Sequence, residues 1–280
     1  MLEIILPVIT IAALLIASYS DLRTREVPDL VSYGLIFAAL SLRLIYSLIE
    51  RDWNYLFSGI FGLGAFFTLA FVLYKAHQWG GGDSKLLMGV GAVIGITLPF
   101  DRSSWNLLLF ILSLLFLGAV YGLFWMAYFA IKKRKEFIPS FLAALKQHQL
   151  LQIITLAVSL IIFVFSLNYF IPLWYLSIFL IGAFYLFLFV ISVESSCLFN
   201  EVHVQRLVPG DWLANKKDNQ AVKMKTLLKE DIWSLRSLHA KGKAHYVTIR
   251  EGIPFIPSFL FAYLAIIFGK SIWYMVWNFF

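Results

Sequence analysis

Apolar runs long enough to cross a bilayer recur along this chain of 280 residues, and they limit its fold more than any other feature. They lie at about 3–20, 30–50, 54–76, 84–100, 105–131, 150–171, 173–193 and 254–278. A hydrocarbon core roughly 30 Å thick takes about 20 consecutive apolar residues in a helix. Water does not reach the backbone there, so every N–H and C=O must be bonded internally, which leaves helices or a closed barrel. A barrel would show alternating segments of about 10 residues, and the runs here are continuous. The expected fold class is all-α: a polytopic membrane helix bundle of about eight spans with a small polar region. Composition agrees, since the chain is 61% hydrophobic and 14% charged where soluble domains average roughly 45–50% and 25%. Glu3 stands where a cleaved signal peptide would carry basic residues, so the first run is expected to stay as a helix. Runs six and seven, linked around Pro172, are expected to form a tight hairpin.

Charge sets the orientation. With the N-terminus outside, the inward segments 21–29, 75–86, 132–149 and 195–250 hold 19 of the 23 Lys and Arg residues. Arg43, Arg51, Arg102 and Lys270 fall in or near outward ends. Cytoplasmic loops carry the basic excess, so the inward side is expected to be the cytoplasm. The net charge of +7 thus reads as a topology marker, not as a nucleic-acid footprint.

Carboxylates are scarce in such a chain, and two sit where an apolar run meets water. Asp21 closes the first run in Ser20-Asp21-Leu22-Arg23, and Asp83 follows Gly80-Gly81-Gly82. Runs two and three lie between them, and two crossings return the chain to the same face. Both aspartates are therefore expected at the cytoplasmic boundary at matched depth. Two carboxylates about 3 Å apart cannot both ionise, so such a pair shares a proton. The ionised partner can take a proton from water while the protonated one donates to a scissile amide. Gly80, Gly81 and Gly82 are expected to supply positive φ and close approach, and Lys85 to favour an ionised carboxylate nearby. The plainer reading makes Asp83 a helix-capping residue and Asp21 a loop residue.

The rest of the chain offers less chemistry. Cys197 is the only cysteine, and the five histidines show no metal spacing, so no metal site is expected. The domain reading is 1–194 for the membrane helices with the aspartates, 195–250 for a basic cytoplasmic cap, and 251–280 for the last span. Within the cap, Lys216 to Arg236 is expected to form an amphipathic helix.

At this point the residues carry a resemblance. Asp21, with Val27-Pro28-Asp29 after it, resembles the first active-site motif of the type IV prepilin peptidases. Gly80-Gly81-Gly82-Asp83-Ser84-Lys85-Leu86 is similar to their second, GxGD followed by x-K. Gly252-Ile253-Pro254-Phe255-Ile256-Pro257 is similar to the lead-in to the family's final helix, and Lys135-Glu136-Phe137-Ile138 resembles the archaeal preflagellin (prearchaellin) enzymes. The resemblance covers about 1–100 and 250–270. It lacks the cysteine-rich zinc region of many bacterial members, which points to the archaeal branch. Runs six and seven look like an addition to the six-span preflagellin plan.

The resemblance implies a membrane aspartic endopeptidase of the GxGD type that uses Asp21 and Asp83. Its partners would be archaellin or type IV pilin-like precursors, cut of their short basic leaders at the cytoplasmic membrane face, and the lipid bilayer. Nucleic acid and cofactors are not expected, and the oligomeric state is left open. Gly80, Gly81, Gly82, Lys85, Glu26 and Asp29 are the expected substrate-binding residues, with Glu194 and Glu201 as further acids for a basic leader. Two other classes compete. A cation transporter would place ionisable residues near the midplane, and no run interior here carries Asp or Glu. A presenilin-type protease typically carries a Tyr-Asp pair deep in a helix, whereas Ser20 precedes Asp21 here.

Overall fold

A computed structural model describes residues 1–76, 78–99, 104–169, 174–207, 212–215, 223–227, 229–240, 245–250 and 252–277. The elements run α1 (Leu2–Thr24), α2 (Asp29–Glu50), α3 (Asn54–Lys75), α4 (Gly81–Ile94), α5 (Trp105–Lys132), α6 (Arg134–Gln147), α7 (Gln149–Tyr169), α8 (Trp174–Ser196), β1 (Phe199–His203), β2 (Trp212–Asn215), β3 (Lys223–Thr226), α9 (Lys229–Ala240), β4 (Tyr246–Arg250) and α10 (Ile256–Trp277). Among the described residues, six helices are long and apolar enough to cross a membrane: α1, α2, α3, α5, α7 and α8. Large apolar side chains such as Phe37, Phe116 and Phe179 point outward, 72%, 69% and 67% exposed. A surface this apolar suits lipid, and the chain is a multi-pass membrane protein. The link around Pro172 lies outside the described residues.

The chain forms two compact units, Met1–Leu123 with Ile253–Phe280, and Phe124–Gly252. In the first, α4 lies against α2 and α3, and α1 against α10. Leu86, Leu87 and Val90 of α4 are fully buried, with Leu14 and Ala17 of α1 and Phe259 of α10 in the same core.

The run expected at 84–100 corrects to a helix that stops at Ile94. Its 14 residues rise roughly 21 Å at 1.5 Å each, short of a roughly 30 Å core. Two features end it. Gly95 takes φ +74° and ψ 168°, an extended positive-φ conformation open to glycine that breaks the helix. Arg43 of α2, fully packed in, covers the freed carbonyls: Nε donates to Ala92 O at 2.9 Å, and Nη2 to Val93 O at 2.6 Å and Ile94 O at 3.3 Å. Its Nη1 reaches Tyr55 O at 2.9 Å. Arg43 is therefore a buried cap, not the outward topology charge that its sequence position suggested.

α3 and α4 approach closely because both present glycine. A Cβ on Gly62 would lie 2.2 Å from Gly91 O, and one on Gly91 would lie 2.5 Å from Gly62 O. Small residues at such crossings let backbones meet where lipid supplies no hydrophobic drive.

The second unit corrects two expectations. Residues 132–149 contain α6, which packs Ala144 against Phe184 and Leu188 of α8. The helix expected at Lys216–Arg236 is instead strand β3 followed by α9 at Lys229–Ala240, with 216–222 outside the described residues. Four antiparallel strands in the order β1-β4-β2-β3 make a small sheet. Ile232 and Leu235 of α9 close a core with Val204, Leu207, Leu227, Val247 and Ile249. The apolar bundle is all-α as expected, and the polar region adds this sheet. Lys133 ties α8 to β1 by donating to Cys197 O, Phe199 O and Asn200 Oδ1.

Candidate active site

Asp21 sits in the last turn of α1 and is buried. The helix ends just beyond it, where Arg25 turns to φ 58° and its N–H bonds Asp21 O. Ser20 Oγ then donates to Glu26 O at 2.9 Å, folding the chain back toward Pro28, the N-cap of α2. This short turn leaves the Asp21 carboxylate facing α10, whose first residue answers it: Ile256 N–H donates to Asp21 Oδ2 at 2.9 Å in a buried bond. The first N–H groups of a helix lack internal partners and carry partial positive charge, so a carboxylate fits there. Pro257 follows at the second helical position, where its missing N–H costs nothing.

Asp83 occupies the first turn of α4 and precedes the apolar stretch that begins after Lys85. Its Oδ2 accepts the N–H of Gly80, the N-cap residue, at 3.2 Å. Asp83 is therefore a capping residue, as the plainer reading had it, and is also coupled to Asp21. Burial pushes its carboxyl up to about 6, the negative charge of Asp21 adds to the rise, and the Gly80 N–H opposes it. α1 and α4 touch, so the structure brings the two sequence-predicted aspartates into one electrostatic site.

The glycines do something other than expected. Gly80 has φ −72°, and among the described glycines only Gly95 has positive φ. The reason is local: Gly80 is the N-cap of α4, and Gly81 and Gly82 begin its helical turn. What Gly82 supplies is space, since a Cβ there would lie 3.1 Å from the Val27 Cβ. A Cβ on Gly81 would meet nothing within 4 Å.

Lys85 also departs from expectation. Its Nζ lies 2.6 Å from Asp29 Oδ1 and 5.2 Å above the Tyr33 ring, so its charge goes to Asp29. Two expected substrate-binding residues thus pair with each other. Glu26 is exposed on the same turn. Trp79 packs against the rings of Phe255 and Phe259 at 5.8 and 5.6 Å, beside the turn that holds Asp21, while Tyr19 is exposed.

Of the two remaining acids, Glu194 ends α8 and Glu201 lies on β1, both in the second unit. Glu201 and Glu136 line a cavity of about 570 Å³ with Ser140, Ser195, Asn200 and Thr248. In the same unit the His239 ring meets those of His203 and His245 edge to face at 4.8 and 5.0 Å. Among the described residues, no group of His, Cys, Asp or Glu is arranged to hold a metal ion.

Sequence reasoning missed the backbone donor at Ile256 and the cap at Arg43. Pro254 and Pro257 marked the first as a special helix start. An arginine inside an apolar run marked the second, since such residues face a protein interior.

Residues 8–123 match the sequence profile of the type IV leader peptidase family. A preflagellin peptidase of Methanocaldococcus jannaschii is 40% identical over 81 residues, 29% of this chain and 34% of that protein. Prepilin peptidase EppA of Methanothermobacter thermautotrophicus is 32% identical over 103 residues, 36% of this chain and 26% of that protein. A preflagellin peptidase of Methanococcus maripaludis is 35% identical over 86 residues, 29% of this chain and 35% of that protein. The matched stretch thus covers about a quarter to a third of each of these relatives.

Proposed function

Because residues 8–123 match the type IV leader peptidase family, we propose that this chain is a membrane aspartic endopeptidase whose catalytic residues are Asp21 and Asp83. It removes the short basic leader from archaellin or type IV pilin-like precursors. The observation that carries the reading is the placement of these two carboxylates, Asp21 in the last turn of α1 and Asp83 in the first turn of α4, on helices that touch. The relatives' names, preflagellin and prepilin peptidase, support the substrate class.

The chemistry follows from the two environments. Each carboxylate accepts one backbone N–H, Asp21 from Ile256 and Asp83 from Gly80. Burial and the negative charge of Asp21 raise the Asp83 carboxyl to about 6, so the pair shares one proton near neutral pH. The ionised partner takes a proton from water as the water oxygen attacks the scissile carbonyl carbon, and the protonated partner donates its proton to the carbonyl oxygen. Collapse of the tetrahedral intermediate breaks the C–N bond as the nitrogen takes the proton that came from water, and a gem-diol hydroxyl returns its proton to the other carboxylate, restoring the pair. No cofactor is required.

Parity and local charge support a cytoplasmic site. α2 and α3 both lie between Asp21 and Asp83, two crossings that return the chain to one side, and the turns beside the two aspartates carry Arg23, Arg25, Lys75 and Lys85. Glu26 is the acid on the Asp21 turn available to a basic leader.

The test replaces Asp21 or Asp83 by Asn and follows trimming of a preflagellin and a prepilin precursor in membranes holding parental amounts of each variant. Both variants should leave the precursor intact. Complete trimming by either one refutes the proposal.

A further inference from the structure

The two sequence motifs meet at a second place, beside the aspartates. Lys85 lies two residues after Asp83, and Asp29 eight after Asp21. Their ion pair at 2.6 Å joins the first turn of α4 to the first residue of α2, across 56 residues of chain. Tyr33, one turn along α2, lies under the same ammonium at 5.2 Å. Gly82 meets Val27 so closely that a Cβ there would lie 3.1 Å from the valine Cβ. Asp83 is thus bracketed by two contacts to the turn that follows Asp21: Gly82 on Val27 before it, Lys85 on Asp29 after it.

The ion pair is too exposed to matter for stability. The side chains are 32% and 65% accessible, and exposed pairs contribute little. Its effect must lie in geometry. An ammonium held by one carboxylate and one ring face defines where the α4 first turn stands relative to α2, and the Val27–Gly82 contact sets how near it comes. Two carboxylates must stand at hydrogen-bond range to share a proton, so a small displacement of the α4 first turn would uncouple them.

We infer that Lys85 and Asp29 are positioning residues: their ion pair, with the Val27–Gly82 contact, holds Asp83 at working distance from Asp21 and is not a docking point for the leader. The inference rests on the proposed role of the two aspartates. It also accounts for a lysine in the second motif and an aspartate in the first, since each is the other's partner.

Two measurements test it. In the first, purified protein cleaves a precursor and kcat and KM are separated. Lys85→Met should lower kcat about 10- to 100-fold, the range for misplacement near 1 Å, with KM within about threefold and the melting temperature near the parental value. Lys85→Arg should recover most of kcat, and Asp29→Lys combined with Lys85→Asp should exceed either single change. Parental kcat in Lys85→Met overturns the inference, as does a raised KM with unchanged kcat, which would assign Lys85 to leader binding. The second measurement needs no activity. Val27→Cys with Gly82→Cys places two thiols where mild oxidation should close a disulfide readily; the native Cys197 is buried. Adding Lys85→Met should slow closure several-fold, and an unchanged rate overturns the inference. If the parent cleaves neither precursor, the proposed function fails, and the cross-linking rate still decides whether the strap exists.

Discussion

Replacing Arg43 by leucine tests the most consequential contact the structure adds to the sequence. Leucine fills much of the same space and keeps the helix propensity of α2, but it removes every donor at the α4 C-terminus. Three carbonyls, those of Ala92, Val93 and Ile94, then lose their guanidinium partner inside a packed apolar unit. Each buried acceptor left unpaired costs about 1–3 kcal/mol, so three cost about 3–9 kcal/mol. Releasing a buried guanidinium offsets part of this; with about half of the mid-range value offset, the net loss is about 3 kcal/mol. For a chain of 280 residues, at about 2.1 cal/mol/K of unfolding entropy per residue, that corresponds to a fall of about 5 °C in melting temperature. Thermal unfolding of purified protein in detergent reads it directly. The Arg43→Lys variant should fall between, because an ammonium keeps the charge but cannot span three carbonyls with a planar fork. A melting temperature within 1–2 °C of the parent for Arg43→Leu would refute the capping argument, since it would mean the carbonyls find other partners.

Three further outcomes follow from the same geometry. Gly62→Ala puts a methyl 2.2 Å from Gly91 O, a backbone atom that cannot swing away; the α3–α4 crossing must widen at a cost of about 1–3 kcal/mol, read as a lower melting temperature. Within the glycine run, Gly81→Ala should be tolerated in stability and cleavage, whereas Gly82→Ala should impair cleavage by pressing on Val27; equal effects would sink this reading. Asp83→Asn should stabilise the protein in a pH-dependent way. The folded carboxyl titrates near 6 against an ordinary 3.8, so its penalty is absent below about pH 3.8, grows as pH rises through 6, and reaches about 3 kcal/mol at most. The variant should therefore melt above the parent at pH 8 and close to it at pH 4, and a pH-independent difference would contradict a carboxyl raised by burial.

How much was legible in the sequence differs by segment. The long apolar runs declared the helices because length and continuity suffice, and Asp21 and Asp83 stood out because carboxylates are rare there. α4 was read six residues too long: Gly95 lay within a run of apolar residues, and the arginine that permits an early stop is some 50 residues away in sequence. The strands escaped because Lys223 to Thr226 alternates charged and neutral residues, a pattern that a charged helix face also shows. Tyr246 to Arg250, with Val247, Thr248 and Ile249 in sequence, was the clearer strand signal. The pairing of Lys85 with Asp29 was out of reach, since spacing along the chain does not reveal which charges meet across a fold.

The first unit is assembled across a long interior segment. The Asp21 carboxylate accepts a backbone N–H from Ile256, 235 residues later. The first unit is therefore completed only when the chain returns at Ile253. The family profile covers 8–123, and the first unit's leading part ends at Leu123; what lies between, α6 to α9 with the sheet, enters the chain between two pieces of one site. Such an interruption is tolerable because the late contribution is a backbone N–H. It demands a helix start at the right place and not a particular side chain, and Pro254 and Pro257 fix that start. Ile256→Ala should then leave cleavage near parental, while Ile256→Pro, which removes this N–H, should lower it sharply. Equal activity of the two would show that the Asp21 carboxylate does not depend on this donor.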